Sequence, residues 1–446
     1  MFNLTKIAVD LNAVLTGADT KFTSCSIDTR QLQSGAIYIA LAGENFDGHD
    51  FIQQAQNNGA VAAVVSRNVK TDLPTLLVDD TRNALGKLAN LWRQHFDLPI
   101  IAITGSNGKT TTKEMLKAIF TQQHSSVLAT KGNLNNEIGV PLTLFNLNHK
   151  HSYAVVEMGA NHIGEIANLT TMVQPTCAVI TQCSPAHLEG FGTIEGVAKA
   201  KGEIFTQLPA DGIAIINNDD EYAKLWHDLA IPHKINTYGL NNADITATKI
   251  DLGNTSSEFT LQTPIGNIAI NLPLPGKHNI MNALAAAACA LTCNCSLQTI
   301  QQGLQTMQSV AGRLQIIQGK QGITLLNDTY NANPASLKVA LQVLQNTSAP
   351  HWLAFGDMGE LGENSIKFHQ QAGQLAKEFG VEKLWTIGNI SHHATSSFGE
   401  GSYHFTDHTD LIRTISEQLP SSATLLIKGS RAMHMERIVQ ALQEGN

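Results

Sequence analysis

Thr104-Gly105-Ser106-Asn107-Gly108-Lys109-Thr110-Thr111-Thr112-Lys113 follows the apolar run Pro99-Ile100-Ile101-Ala102-Ile103 and leads into a helical pattern. Strand, glycine-rich turn and helix in that order form the layout of a phosphate-binding loop. Gly105 and Gly108 let the backbone turn tightly and aim its N–H groups inward, where they and the helix N-terminus can hold phosphate oxygens. Lys109 is placed to reach the terminal phosphates, and Thr110 to hold a magnesium ion. The usual pattern is G-x-x-x-x-G-K-[ST]; here only Ser106 and Asn107 separate the glycines, so the loop is a shortened variant. Such a turn can also be an ordinary strand-to-helix connection, but the flanking strand and helix favour nucleotide binding.

Outward from this loop, strands and helices alternate. Tyr153-Ala154-Val155-Val156-Glu157, Cys177-Ala178-Val179-Ile180 and Gly212-Ile213-Ala214-Ile215-Ile216 are near-continuous apolar runs, which predict a mostly parallel sheet covered by helices. Upstream, Ala36-Ile37-Tyr38-Ile39-Ala40 and Ala60-Val61-Ala62-Ala63-Val64-Val65 alternate with polar loops, as in a small α/β domain, and Phe96-Asp97-Leu98-Pro99 marks its end. Downstream of Val310-Ala311-Gly312 a new strand series starts at residues 322–327, 352–356 and 423–427. The expected class is α/β in three domains: residues 1–98, 99–311 and 312–446, the central one built on a phosphate-loop ATPase-type sheet. No internal repeat or low-complexity tract interrupts them.

Composition agrees, since 446 residues exceed what one core supports. A net charge of -8, from 29 basic against 37 acidic residues, provides no basic surface and argues against nucleic acid as a partner. Met1-Phe2-Asn3-Leu4-Thr5-Lys6 lacks an apolar signal segment, and the Ala-rich run 282–293 is too short to span a bilayer, so a cytoplasmic protein is expected. The six cysteines form no paired Cys-x-x-Cys framework and read as free thiols rather than metal ligands or disulfides.

Several residues could carry chemistry. Glu157 ends an apolar strand, at the sheet edge where open α/β folds bind ligands, and can hold magnesium beside the phosphates or simply begin a loop. His187, in Pro185-Ala186-His187-Leu188-Glu189-Gly190, also follows a strand; a lone histidine is more often a hydrogen-bonded structural residue, so a role for it needs support from elsewhere in the chain. In the helix beginning near Thr193, the spacing of Ile194, Val197, Ala198, Ile204, Phe205 and Leu208 puts Lys201 on the apolar face and Lys199 elsewhere. Lys201 either snorkels its ammonium outward or is buried with a lowered pKa, an amine able to take up carbon dioxide as a magnesium-ligating carbamate. Asn279, opening the Ala-rich helix, offers an amide for a base edge or a helix cap. Asp328-Thr329-Tyr330-Asn331-Ala332-Asn333-Pro334 follows a strand and can be a site or a turn, and residues 356–362 do not match the dinucleotide fingerprint.

Together these segments resemble the Mur ligases of peptidoglycan synthesis almost end to end. The resemblance rests on Asp28-Thr29-Arg30, Phe46-Asp47-Gly48-His49-Asp50-Phe51, the loop at 104–111, Gly132-Asn133-Leu134-Asn135-Asn136-Glu137 and Glu157-Met158-Gly159-Ala160-Asn161. It continues through Ala186-His187-Leu188-Glu189-Gly190-Phe191-Gly192, Ala198-Lys199-Ala200-Lys201-Gly202-Glu203, the Asn279 segment, 328–334, 356–362 and Lys428-Gly429-Ser430-Arg431. It implies an N-terminal UDP-sugar-binding domain, a central ATP-binding domain and a C-terminal Rossmann-like ligase domain that closes over the site. It also implies roles. Gly105, Ser106, Asn107, Gly108, Lys109, Thr110 and Thr111 would hold ATP, with Asn279 on adenine, Arg313 on the γ-phosphate and Asp328 on ribose. Thr110 and Glu157 would ligate one magnesium ion, and His187 with carbamylated Lys201 a second; Lys109, Glu157, His187 and Lys201 form the implied catalytic set. Ser26, Asp28, Arg30, Asn135 and Asn136 would bind the UDP-sugar-peptide, and Asn331, Asn333 and Ser430 the incoming dipeptide. The implied activity is ATP-dependent joining of D-Ala-D-Ala to UDP-MurNAc-tripeptide through an acyl phosphate, by a monomer. The alternatives are a folylpolyglutamate synthase-like ligase and a non-catalytic nucleotide-binding module. One departure stands out: where the family usually has Asn after the strand threonine, Thr181 is followed here by Gln182.

Overall fold

The computed structural model describes residues 2–123 and 126–444; Met1, read above with the N-terminal segment, lies outside them. Its centre is a six-stranded, all-parallel sheet in the order Lys234–Tyr238, Ile213–Asn217, Cys177–Ile180, Ile100–Thr104, His151–Glu157, Ser126–Ala129. Alternation along each strand divides the core in two. Ile101, Ile103, Val155, Val179 and Ile215 face one side, packing on Met115, Leu116, Ile119 and Phe120 of the Lys109–Thr121 helix and on the Lys277–Thr292 helix. Ile100, Ala102, Ala154, Val156, Ala178 and Ile180 face the other, under the Glu165–Val173 and Ile194–Thr206 helices. Each fully buried aliphatic side chain of this kind contributes roughly 1.5–3 kcal/mol. With both faces covered, the strands can be apolar throughout, which is why they are visible in the sequence.

The Ala-rich run is a buried helix. Ala285, Ala286, Ala287 and Ala288 have no exposed surface, because the helix is packed between the parallel sheet and a three-stranded antiparallel sheet of Thr246–Leu252, Ser257–Thr263 and Gly266–Leu272. The sequence reading did not anticipate that second sheet. Its signal is the alternation of buried Phe259 and Leu261 with outward Glu258 and Thr260 ahead of the turn at 264–265.

Two further α/β units flank the centre. The first has strands in the order Val14–Thr16, Thr75–Leu77, Ala62–Val65, Ala36–Ile39, Ser24–Ser26, and its Thr81–Arg93 helix docks on the centre. There Trp92 Nε1 donates to the Leu147 carbonyl (3.1 Å), and Arg93 donates to the Val173 and Gln174 carbonyls (2.8 and 3.1 Å). The second has the order Gln315–Gln318, Thr324–Asp328, Thr424–Lys428, His351–Gly356, Lys383–Ile387, Ser402–Phe405, parallel except at its first pairing. No helix among the described residues is long and apolar enough to cross a membrane.

The helix that starts at the phosphate loop is also held from outside. Gly303, in the Leu297–Gln305 helix, is so close that a Cβ there would lie 2.4 Å from Ile119 Cα. Gly303→Ala should therefore separate the two helices and destabilise the fold by about 1–3 kcal/mol, read as a lower thermal midpoint; an unchanged midpoint would contradict this packing.

Candidate functional site

The Ile100–Thr104 strand delivers the chain into the loop, and the Lys109–Thr121 helix carries it away. Both glycines are required by space as well as by backbone angle. A Cβ on Gly105 (φ +148°) would lie 1.9 Å from Thr181 Oγ1, and one on Gly108 (φ +85°) 2.4 Å from Asn282 Oδ1. The loop is pinned along its length: Ser106 N donates to the Gln182 carbonyl (2.9 Å), Thr181 Oγ1 to the Asn107 carbonyl (2.5 Å) and Ser106 Oγ to the Ser184 carbonyl (3.0 Å). Lys109 Nζ curls back to the Gly105 carbonyl at 2.7 Å; its pKa is lowered by desolvation, with Glu157 opposing the shift.

Glu157 closes its strand with only 2% of its surface exposed. Its backbone N–H donates to Thr130 Oγ1 (2.9 Å), and its carboxylate accepts from Asn135 Nδ2 (2.8 Å) and Thr110 Oγ1 (3.0 Å). Arg313, from the third unit, donates to the same Thr110 hydroxyl at 3.0 Å while its guanidinium lies over the Tyr330 ring at 4.0 Å. A hydroxyl and a carboxylate are hard oxygen donors, the kind magnesium takes, so this pair fits such an ion.

The Ile194–Thr206 helix, capped by Thr193 Oγ1 on Gly196 N (3.0 Å), buries Lys201 to 2% exposure among Val197, Ala200 and Ile204. The snorkelling alternative is therefore not what the fold adopts. Burial first, and the neighbouring Lys109 ammonium second, push Lys201 down to about 7. Lys199 lies on the outer face, paired with Glu195 at 2.8 Å, and Ile194, placed by its spacing on the apolar face, is 37% exposed at the helix start. His187 adopts a left-handed conformation (φ 52°) and sits against the Glu360 carboxylate of the third unit, whose pKa it lowers. The two line a cavity of about 250 Å³ with Asn161, His162, Glu189 and Gly190. Among the described residues no group of three or more His, Cys, Asp or Glu side chains is arranged to hold a metal.

A second cavity, of about 220 Å³, adjoins the loop and unites Asn107, Gly108, Thr111, Asn279, Arg313 and Asp328 with Gln182, His278 and Asn282. Asn279 does not cap its helix, since Gly276 holds that position; its Nδ2 donates back to the Pro275 carbonyl at 2.8 Å. Asp328 is no plain turn residue. It is 8% exposed, accepts from Leu314 N (3.1 Å) and is paired with Lys428, which also donates to the Asn331 carbonyl (3.0 Å). Burial lowers the Lys428 pKa, with Asp328 opposing it.

The remaining expected residues are dispersed. Asn333 caps the Pro334–Gln345 helix and donates through Nδ2 to Asn107 Oδ1 (3.0 Å), joining the third unit to the loop. Asn331 accepts from Ala332 N (2.8 Å), and Ser430 is 8% exposed with its N–H on the Asp357 carbonyl (2.9 Å). Ser26, Asp28 and Arg30 form their own cluster in the first unit: Ser26 Oγ donates to the Asp28 carbonyl (2.9 Å), and Arg30 makes a two-pronged contact with the Asp28 carboxylate (2.9 and 2.8 Å). Asn136 Oδ1 accepts from Gly139 N (2.9 Å) at the start of a helix, and the adjacent Glu137 ties the first two units through Arg82 (2.9 Å). The sequence reading missed Lys428 and Glu360. Lys428 carried a legible signal, the terminal position on an apolar strand that had singled out Glu157; Glu360 carried none.

Comparison with known proteins agrees across the chain. Residues 21–93 match the model of the Mur ligase family catalytic domain, 103–290 that of the Mur ligase middle domain, and 312–431 that of the Mur ligase glutamate ligase domain. The UDP-N-acetylmuramoyl-tripeptide–D-alanyl-D-alanine ligase of Escherichia coli is 45% identical over 99% of this chain and 98% of its own length. A crystal structure of MurF from Acinetobacter baumannii superposes with a TM-score of 0.92 at 37% identity, covering 98% of each chain. The MurF ligase of Thermotoga maritima in complex with ADP superposes with a TM-score of 0.84 at 25% identity, covering 95% of this chain and 97% of that one. The chain belongs to the Mur ligase family.

Proposed function

We propose that this chain uses ATP to join D-Ala-D-Ala to the terminal carboxylate of UDP-MurNAc-tripeptide, making the pentapeptide precursor of peptidoglycan. The observation that carries this reading is the junction at Thr110. There a loop shaped for phosphates, a buried carboxylate and an arginine from a separate unit converge within 3.0 Å of one hydroxyl. A carboxylate does not condense with an amine unaided, because its oxyanion is a poor leaving group. Phosphoryl transfer from ATP converts it to an acyl phosphate, the amine adds to the carbonyl carbon, and inorganic phosphate leaves.

Residues 1–98 are proposed to bind the UDP-sugar through Ser26, Asp28 and Arg30, with Asn135 and Asn136 on its peptide side. Residues 99–311 hold ATP, and 312–446 deliver the dipeptide past Asn331, Asn333 and Ser430. The loop amides and Lys109 cradle the phosphates, and Arg313 meets the γ-phosphoryl group as its charge spreads over the oxygens. Asn279, its amide held on the Pro275 carbonyl, faces the base, and Asp328 orients the ribose. Contact of the third unit with the loop, through Asn333 on Asn107, keeps water from the acyl phosphate. Magnesium, on Thr110 and Glu157 and in a second place on His187 and carbamylated Lys201, supplies charge neutralisation when bound. Near pH 7 a sizeable share of Lys201 is free amine, the form that adds carbon dioxide.

A coupled ADP-release assay crossing UDP-MurNAc-tripeptides ending in meso-diaminopimelate or lysine with several dipeptides should show turnover that depends on D-Ala-D-Ala. Stimulation by folate and glutamate instead, or ATP binding with no amide formed from any muramyl peptide, would refute the assignment. Lys109→Ala should lower kcat on the order of a hundredfold or more, with folding checked by circular dichroism. Lys201→Ala should lose activity that formate or acetate partly restores, because a small carboxylate can stand in for the carbamate; an undiminished mutant would remove the carbamate from the mechanism.

A further inference from the structure

We propose that Gln182 reads the purine of the bound nucleotide, pairing its amide with the exocyclic amine and an adjacent ring nitrogen of adenine. This rests on the nucleotide-binding reading of the cavity beside the loop. The cavity is lined by several amide side chains, and nearly all are committed elsewhere. Asn107 donates to Ser184 Oγ (3.0 Å) and accepts from Asn333 (3.0 Å). Asn217 donates to the Thr181 carbonyl (2.9 Å) and accepts from Asp219 N (3.1 Å). Asn279 donates to the Pro275 carbonyl and accepts from Asn282 Nδ2 at 3.4 Å. Among the described residues, Gln182 is the amide of this lining with neither its carbonyl nor its NH₂ engaged.

Its backbone is held. The Gln182 carbonyl accepts from Ser106 N at 2.9 Å, and the preceding Thr181 carbonyl accepts from Tyr238 OH (2.7 Å) as well as from Asn217. The residue is thus fixed to the phosphate loop by its main chain, and its side chain is left to the cavity. An uncommitted amide presents one donor beside one acceptor. Adenine offers the complement at its exocyclic amine and N7, a donor beside an acceptor, whereas guanine presents two acceptors, O6 and N7, on that edge and cannot satisfy both.

Direct titration of the full-length protein with ADP, GDP and purine riboside diphosphate, which lacks the exocyclic amine, tests the assignment without requiring ligation. For the wild type, ADP should bind on the order of ten- to a hundredfold more tightly than the other two. Gln182→Ala should lose that advantage, weakening ADP while leaving purine riboside diphosphate nearly unchanged. Gln182→Glu, similar in shape but without the donor, should also lose ADP affinity and controls for packing. Equal weakening of all three nucleotides would mean that Gln182 only supports the loop, and unchanged ADP affinity would place it away from the base; either result overturns the proposal. Failure of the ligase reading shows separately, as absence of substrate-dependent ADP release by the wild type.

Discussion

The close approach of backbone to side chain at Gly105 and Gly108 is the constraint on which the site depends. Atoms of Thr181 and Asn282 occupy the space that a Cβ would need, so the loop is clamped between the end of one strand and the flank of the Ala-rich helix. That clamp sets the positions of Lys109 and Thr110, the first residues of the following helix, and through Thr110 the meeting point of Glu157 and Arg313. It also accounts for the composition of the partner helix. A run of alanines lets that helix lie between two sheets while Asn279 and Asn282 remain at the cavity wall.

A second theme is electrostatic. The chain is acidic overall, at -8, yet Lys109, Lys201, Arg313 and Lys428 stand around one locus, opposed chiefly by Glu157 and Asp328. Desolvation lowers the pKa of all three lysines, so cationic charge is held there at a cost that an anionic ligand would offset. Phosphate groups suit such a place. The two ties from the third unit, Arg313 to Thr110 and Asn333 to Asn107, add donors from a separate unit to the same locus.

Much of this was legible in the chain. Strands buried on both faces read as unbroken apolar runs, and the glycines with Lys-Thr after one of them marked the loop. A single helix period placed Lys201 inside and Lys199 outside, as found. The antiparallel sheet at 246–272 escaped because its strands are half exposed and their alternation is diluted by polar residues on the buried face. Capping was equally ambiguous: Asn279 looked like a cap and is not one, whereas Asn333 is a cap and also bonds the loop.

The sequence by itself determined the local chemistry: which strand ends in a carboxylate, where the backbone can turn onto a phosphate, and which lysine lies on an apolar face. These follow from the spacing of neighbouring residues, and periodicity carries them. Only the tertiary structure decided which of these groups meet. Arg313 reaches Thr110 across 203 residues, Lys428 pairs with Asp328 across 100, and His187 lies against Glu360 of the third unit. No local pattern encodes such distances, because they depend on how separate sheets stack and on which unit closes over which.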